Sequence, residues 1–130
     1  MKERDLVDTL LKTAYEDTQL LQKNDALGDN FSIPRDVDFV LLAPDAAKAS
    51  TVCDFINDNR YGSARVETPP DQFRIVVVIR MPIQQNILCS VSALMACIAE
   101  LFDIEYDGWG CAITNSSNQS LQPTAGRSDV

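Results

Sequence analysis

Hydrophobic positions recur along this chain with two different periods, and the switch between them lays out a fold. Over about residues 4 to 23, Val7, Leu10, Leu11, Ala14 and Leu21 repeat at helical spacing, while Asp5, Asp8, Lys12, Glu16 and Lys23 take other faces. This predicts an amphipathic helix, broken by Asn24, Asp25 and Gly28. From Pro34 the period drops to two. Asp36 to Leu42 reads as a strand with Val37, Phe39 and Leu41 on one face and Val40 and Leu42 on the other. Pro44 and Asp45 suit the first turn of a helix, where proline's missing donor costs nothing and an acid meets the helix dipole. That helix carries Ala49, Val52, Cys53 and Ile56 on one stripe and ends near Asn59 to Gly62. Ser63 to Thr68 is a short strand, Pro69-Pro70-Asp71 a turn, and Phe73 to Met81 the most apolar strand. In that strand Phe73, Ile75, Val77 and Ile79 oppose Arg74, Val76, Val78 and Arg80. A long helix over about Gln84 to Phe102 follows, with Ile87, Val91, Leu94, Met95, Ile98 and Phe102 on its apolar face. The last strand falls at about Ile104 to Ile113, and a disordered tail is expected from Thr114.

The predicted order, a helix and then β-α-β-β-α-β, is the split β-α-β of an α+β, ferredoxin-like sandwich with an extra N-terminal helix. Right-handed crossovers place the two crossover helices on one face of an antiparallel sheet, with the first and third strands central. Val40, Leu42, Val76 and Val78 then make the other face more apolar than a solvated sheet face should be. The N-terminal helix, a second copy forming a homodimer through this open face, or a partner protein are the candidates to cover it. The chain divides into an N-terminal helix and linker over 1–30, the α+β domain over 31–113 and the tail over 114–130.

Charge and chemistry narrow the function. Nineteen Asp and Glu against eleven Lys and Arg leave a net charge of −8 at pH 7, a field that repels phosphate backbones and disfavours direct nucleic-acid binding. The same field favours a basic partner, including an Arg-rich disordered segment, although net charge also serves plain solubility. Cys53, Cys89, Cys97 and Cys111 show no Cys-x-x-Cys spacing, and there is no histidine. The cysteines read as structural thiols of a reducing cytosol. No signal peptide opens the chain and no apolar run approaches membrane-spanning length, so a soluble cytoplasmic protein is expected. The five glycines form no phosphate-cradling loop and no Ser or Cys sits in a nucleophile elbow. No catalytic residue, metal ligand or cofactor site is nominated, and the expectation is a non-enzyme.

One stretch stands apart. Asp103, Glu105 and Asp107 alternate around the start of the last strand, an arrangement that suits a solvated face, a strip for a partner's Arg or Lys, or less readily a hard cation. Tyr106 and Trp109 accompany them, and Trp109 lies between Gly108 and Gly110. Each aromatic ring suits a core edge or an interface anchor, and the glycines allow a bulge or a close backbone approach. The run Phe102-Asp103-Ile104-Glu105-Tyr106-Asp107-Gly108-Trp109-Gly110 closely resembles the signature of the RraB family, regulators of ribonuclease E activity B, and the likeness of layout extends over about Arg4 to Ile113. The resemblance implies a non-catalytic protein inhibitor that binds the largely disordered C-terminal region of ribonuclease E and alters RNA turnover. Asp103, Glu105, Tyr106, Asp107 and Trp109 are accordingly the candidate partner-binding residues.

The tail departs from the family pattern. RraB proteins end in a run of acids, whereas Thr114 to Val130 is neutral, with Arg127 and Asp129 cancelling. The stretch Asn118 to Arg127 instead resembles the translated end of a mobile integron gene cassette. That leaves open a different protein partner on the same scaffold. A small-ligand regulatory module, common among ferredoxin-like domains, is the alternative from another class.

Overall fold

The computed structural model describes residues 3–68, 72–116 and 119–123. Helix α1 spans Glu3–Ala26, strand β1 Arg35–Ala43, helix α2 Ala46–Asp58, β2 Ser63–Glu67, β3 Phe73–Met81, helix α3 Gln85–Phe102 and β4 Glu105–Gly110. Two further short strands, β5 (Ala112–Ser116) and β6 (Gln119–Pro123), follow. The first four strands form one antiparallel sheet in the order β2-β3-β1-β4, which is the split β-α-β arrangement with β1 and β3 central. The turn Pro69-Pro70-Asp71 lies outside the described residues.

The strand facing follows the two-residue period. Val37, Phe39, Leu41 and Ala43 on β1 and Ile75, Val77 and Met81 on β3 are buried against Ala49, Val52 and Ile56 of α2 and Leu88, Met95 and Ile98 of α3. Asp45 caps α2 rather than entering its first turn: its carboxylate accepts from the Lys48 amide at 2.8 Å. Asp103 ends α3 in the left-handed conformation, φ 56° and ψ 49°, and the Ile104 amide returns to the Ala99 carbonyl. The Lys48 ammonium adds a bond to the Phe102 carbonyl at that same helix end, at 2.8 Å. By length and composition α3 could cross a membrane, contrary to the expectation that no segment could. Here its apolar side is part of the core.

Helix α1 does not cover the open sheet face. It lies antiparallel along α3, with the Thr9 hydroxyl 3.5 Å from Glu100 and the Gln85 amide 3.0 Å from the Thr18 hydroxyl. On the opposite side of the sheet Val40 and Val76 are nonetheless buried within the chain, at 0% and 2% exposure, while Leu42 and Val78 stay half-buried. The single last strand expected over 104–113 is divided at Cys111. The region expected as a disordered tail begins with the β5–β6 pair, of which β5 contacts β1. Residues 117, 118 and 124–130, including half of the cassette-like stretch, lie outside the described residues.

A buried polar knot fastens this end of the molecule. One guanidinium nitrogen of Arg35 reaches both oxygens of Asp29 at 2.8 Å and the Ala112 carbonyl at 3.0 Å, and the other reaches the Asn30 carbonyl at 2.7 Å. Asn24, from the last turn of α1, donates to Asp29 at 3.1 Å. Together with the Asn30 amide bound to the Thr114 carbonyl, this links α1, the 27–34 loop, β1 and β5.

Candidate functional site

The signature stretch occupies the edge of the sheet. Among the described residues, strand β4 pairs with β1 in the sheet, and its register slips once: Trp109 lies opposite Phe39 and Tyr106 opposite Leu41, so Asp107 and Gly108 together face the single Val40. Gly108 supports this bulge with φ +90°, a conformation open to glycine at no steric cost. The bulge changes which side chains meet. Strict alternation places Tyr106 and Trp109 on opposite faces; the extra residue returns both to the helix side, beside Leu41 and Phe39.

Trp109 is 2% exposed and belongs to the core, so of its two open roles the structure takes the packed one. Tyr106 is half-buried, with its hydroxyl 2.7 Å from the Ser92 hydroxyl on α3. Asp103, Glu105 and Asp107 are all exposed. They are not equivalent, however: Asp103 is the cap of α3, Glu105 starts β4 opposite Leu42, and Asp107 sits in the bulge. Among the described residues, no group of three or more His, Cys, Asp or Glu side chains is placed to hold a metal ion.

A groove of about 910 Å³ runs between α1 and the outer side of β4. Glu105 and Asp107 line its β4 wall; Lys12, Glu16 and Lys23 line its α1 wall. Tyr106 and Trp109 lie between the walls, with Asp17 of α1 beside them. A smaller extension of about 290 Å³ shares Lys12, Glu16, Glu105 and Tyr106 and continues toward Glu100 at the end of α3. Two of the three acids read from the sequence, Glu105 and Asp107, therefore belong to one wall of a groove, and Asp103 lies outside it. The groove's second wall, α1, escapes sequence reading because α1 meets β4 only through tertiary packing.

Asp17 was not among the expected site residues. It is 4% exposed, its Oδ1 accepts from the Trp109 indole N–H at 3.0 Å, and its Oδ2 has no hydrogen-bond partner. Burial raises its pKa from 3.8 to about 6, against smaller lowering by the nearby Ser92 hydroxyl and the Trp109 indole, and Glu16 pushes it further up. Its signal in the sequence is faint: an acid on the inner stripe of an amphipathic helix, three positions before Leu20 and four before Leu21.

The sheet order and the helix fastened outside it place the chain in the ferredoxin-like α+β class. Residues 14–111 match the family model described as Regulator of ribonuclease activity B, RraB, and the chain belongs to that family. Both walls of the groove fall inside the matched stretch from residue 14 onward, with Lys12 and Thr13 just before it. No curated protein and no solved structure matches the chain. Membership makes it a regulator of ribonuclease activity, which supports a role exercised by binding protein.

Proposed function

We propose that this protein is a non-catalytic, cytoplasmic inhibitor that binds a basic, disordered segment of a ribonuclease, with the C-terminal region of ribonuclease E as the first partner to test. The observation that carries the reading is the set of exposed acids Asp103, Glu105 and Asp107 on the signature stretch, two of which, Glu105 and Asp107, line a groove of about 910 Å³. The net charge of −8 works in the same direction by steering a basic partner toward the surface. Tyr106 and Trp109 serve by shaping the groove rather than by inserting into a partner.

The test is calorimetric titration of the whole chain with the purified C-terminal region of ribonuclease E at low and moderate salt. Saturable binding that weakens with salt, and that weakens again in the Glu105→Gln/Asp107→Asn double variant, is the expected result. Absence of binding at both salt concentrations would overturn ribonuclease E as the partner. Binding that ignores both salt and the two acids would overturn the acidic strip as the surface.

A further inference from the structure

Three features of the α1–β4 groove point to one kind of occupant. The first is charge: the groove is lined by four acids, Glu16, Asp17, Glu105 and Asp107, against the two cations Lys12 and Lys23. The second is Asp17, a carboxylate whose Oδ2 makes no hydrogen bond of good geometry, the Ser92 hydroxyl being the nearby donor, and whose Oδ1 is held by an uncharged indole. A buried carboxylate is ordinarily compensated by a cation or by a full set of donors, and this one has neither. The third is position, since among the described residues β4 is the edge strand of its sheet and forms one wall of the groove, where an extended segment can lie beside it.

We infer that the α1–β4 groove is the seat of an arginine from an extended basic segment, with Asp17 as the charge at its inner end and Glu105 and Asp107 holding the flanking residues. This rests on the proposed function and deepens it by naming the anchoring side chain and the residue that receives it. Arginine fits better than lysine. Its guanidinium is more weakly hydrated, is planar enough to lie against Tyr106, and presents donors in a fork that matches a carboxylate. The seat also makes recognition depend on pH. Among the described residues, the groups facing Asp17 are Glu16 on its own helix, Cys89 and Ser92 on α3, and Tyr106 and Trp109 on β4, and none of these is a cation. Because Asp17 holds its proton up to about pH 6, the arginine must displace that proton in mildly acidic solution.

The experiment is fluorescence anisotropy of a labelled decapeptide of alternating arginine and serine, titrated with the whole chain between pH 5 and pH 8. Wild-type protein is expected to bind at pH 7.5 and to lose affinity by up to about tenfold per pH unit below pH 6. Asp17→Asn, which keeps an acceptor for the indole, is expected to fold, to bind at least about tenfold more weakly at pH 7.5 and to show a flatter pH profile. Asp58→Asn on α2 removes the same charge away from the groove and should bind as wild type. Replacing the arginines by citrulline should abolish binding, and replacing them by lysine should weaken it. If Asp17→Asn binds as tightly as wild type while Glu105→Gln/Asp107→Asn does not, the seat is wrong and the acidic strip stands. If wild-type protein fails to bind the arginine peptide at all, both readings fall.

Discussion

At the scale of single residues, two buried carboxylates meet opposite fates. Asp29 is neutralised by Arg35 and bonded by Asn24, whereas Asp17 has a tryptophan N–H and no cation. Replacing Arg35 by Met should therefore destabilise the fold by about 3–5 kcal/mol, because it strands the Asp29 charge in the interior; chemical denaturation measures this directly. Asp17 works in the other direction. Its folded pKa, about 6, lies above the unfolded 3.8, so the folded state binds the proton more tightly. Its ionisation costs stability above pH 6, and that cost disappears as pH falls toward 4. Asp17→Asn should raise stability at pH 7.5 by about 1–2 kcal/mol and remove this part of the pH dependence of the melting temperature. Among the cysteines, burial pushes the Cys111 thiol up to about 11, which suits an inert core thiol.

At the scale of elements, the hydrophobic period carried most of the information. The strand over Phe73 to Met81 and the helix ending at Phe102 lie where their patterns place them, because each has one continuous apolar face and a proline or a capping residue at its end. Ile75 and Val77, both 0% exposed, occupy the centre of β3, and truncating either to alanine should cost about 2–4 kcal/mol by denaturant unfolding. A loss under about half a kcal/mol would mean that the strand faces the other way. Period failed at β4. A strict alternation cannot place Tyr106 and Trp109 on one side, and the slip at Asp107 and Gly108 that does so is a local rearrangement of hydrogen bonds. Gly108→Ala should cost about 1 kcal/mol through its positive φ, and should shift the Trp109 fluorescence if the bulge relaxes.

At the scale of the whole molecule, net charge and groove act together. Attraction between a −8 surface and a basic segment is long-ranged at low ionic strength and is screened within about 10 Å at 0.1 M salt. Association with a basic partner should therefore slow steeply with added salt, while dissociation from a groove anchored at buried Asp17 should change much less; stopped-flow measurements separate the two. Equal sensitivity of both rates would place the whole interaction on the exposed rim. The β5–β6 pair matters at this scale as well. It follows the signature stretch, and β5 is tied to the loop at Asn30 and to Arg35 by backbone carbonyls.

What the sequence determined by itself is the class of fold, the facing of the central strands, the acidic and signature-bearing stretch, and through that stretch the family. Each of these rests on local periodicity or on a contiguous run of residues, and such signals survive in one dimension. Tertiary structure alone decided the rest. It set α1 beside α3 and β4 rather than across the open sheet face, made Glu105 and Asp107 one wall of a groove, turned Trp109 inward, and placed Asp17 against its indole. Those outcomes join residues as far apart as 17 and 109, and they follow from which apolar surfaces bury one another most completely. No spacing within the chain encodes that comparison; only the packed molecule makes it.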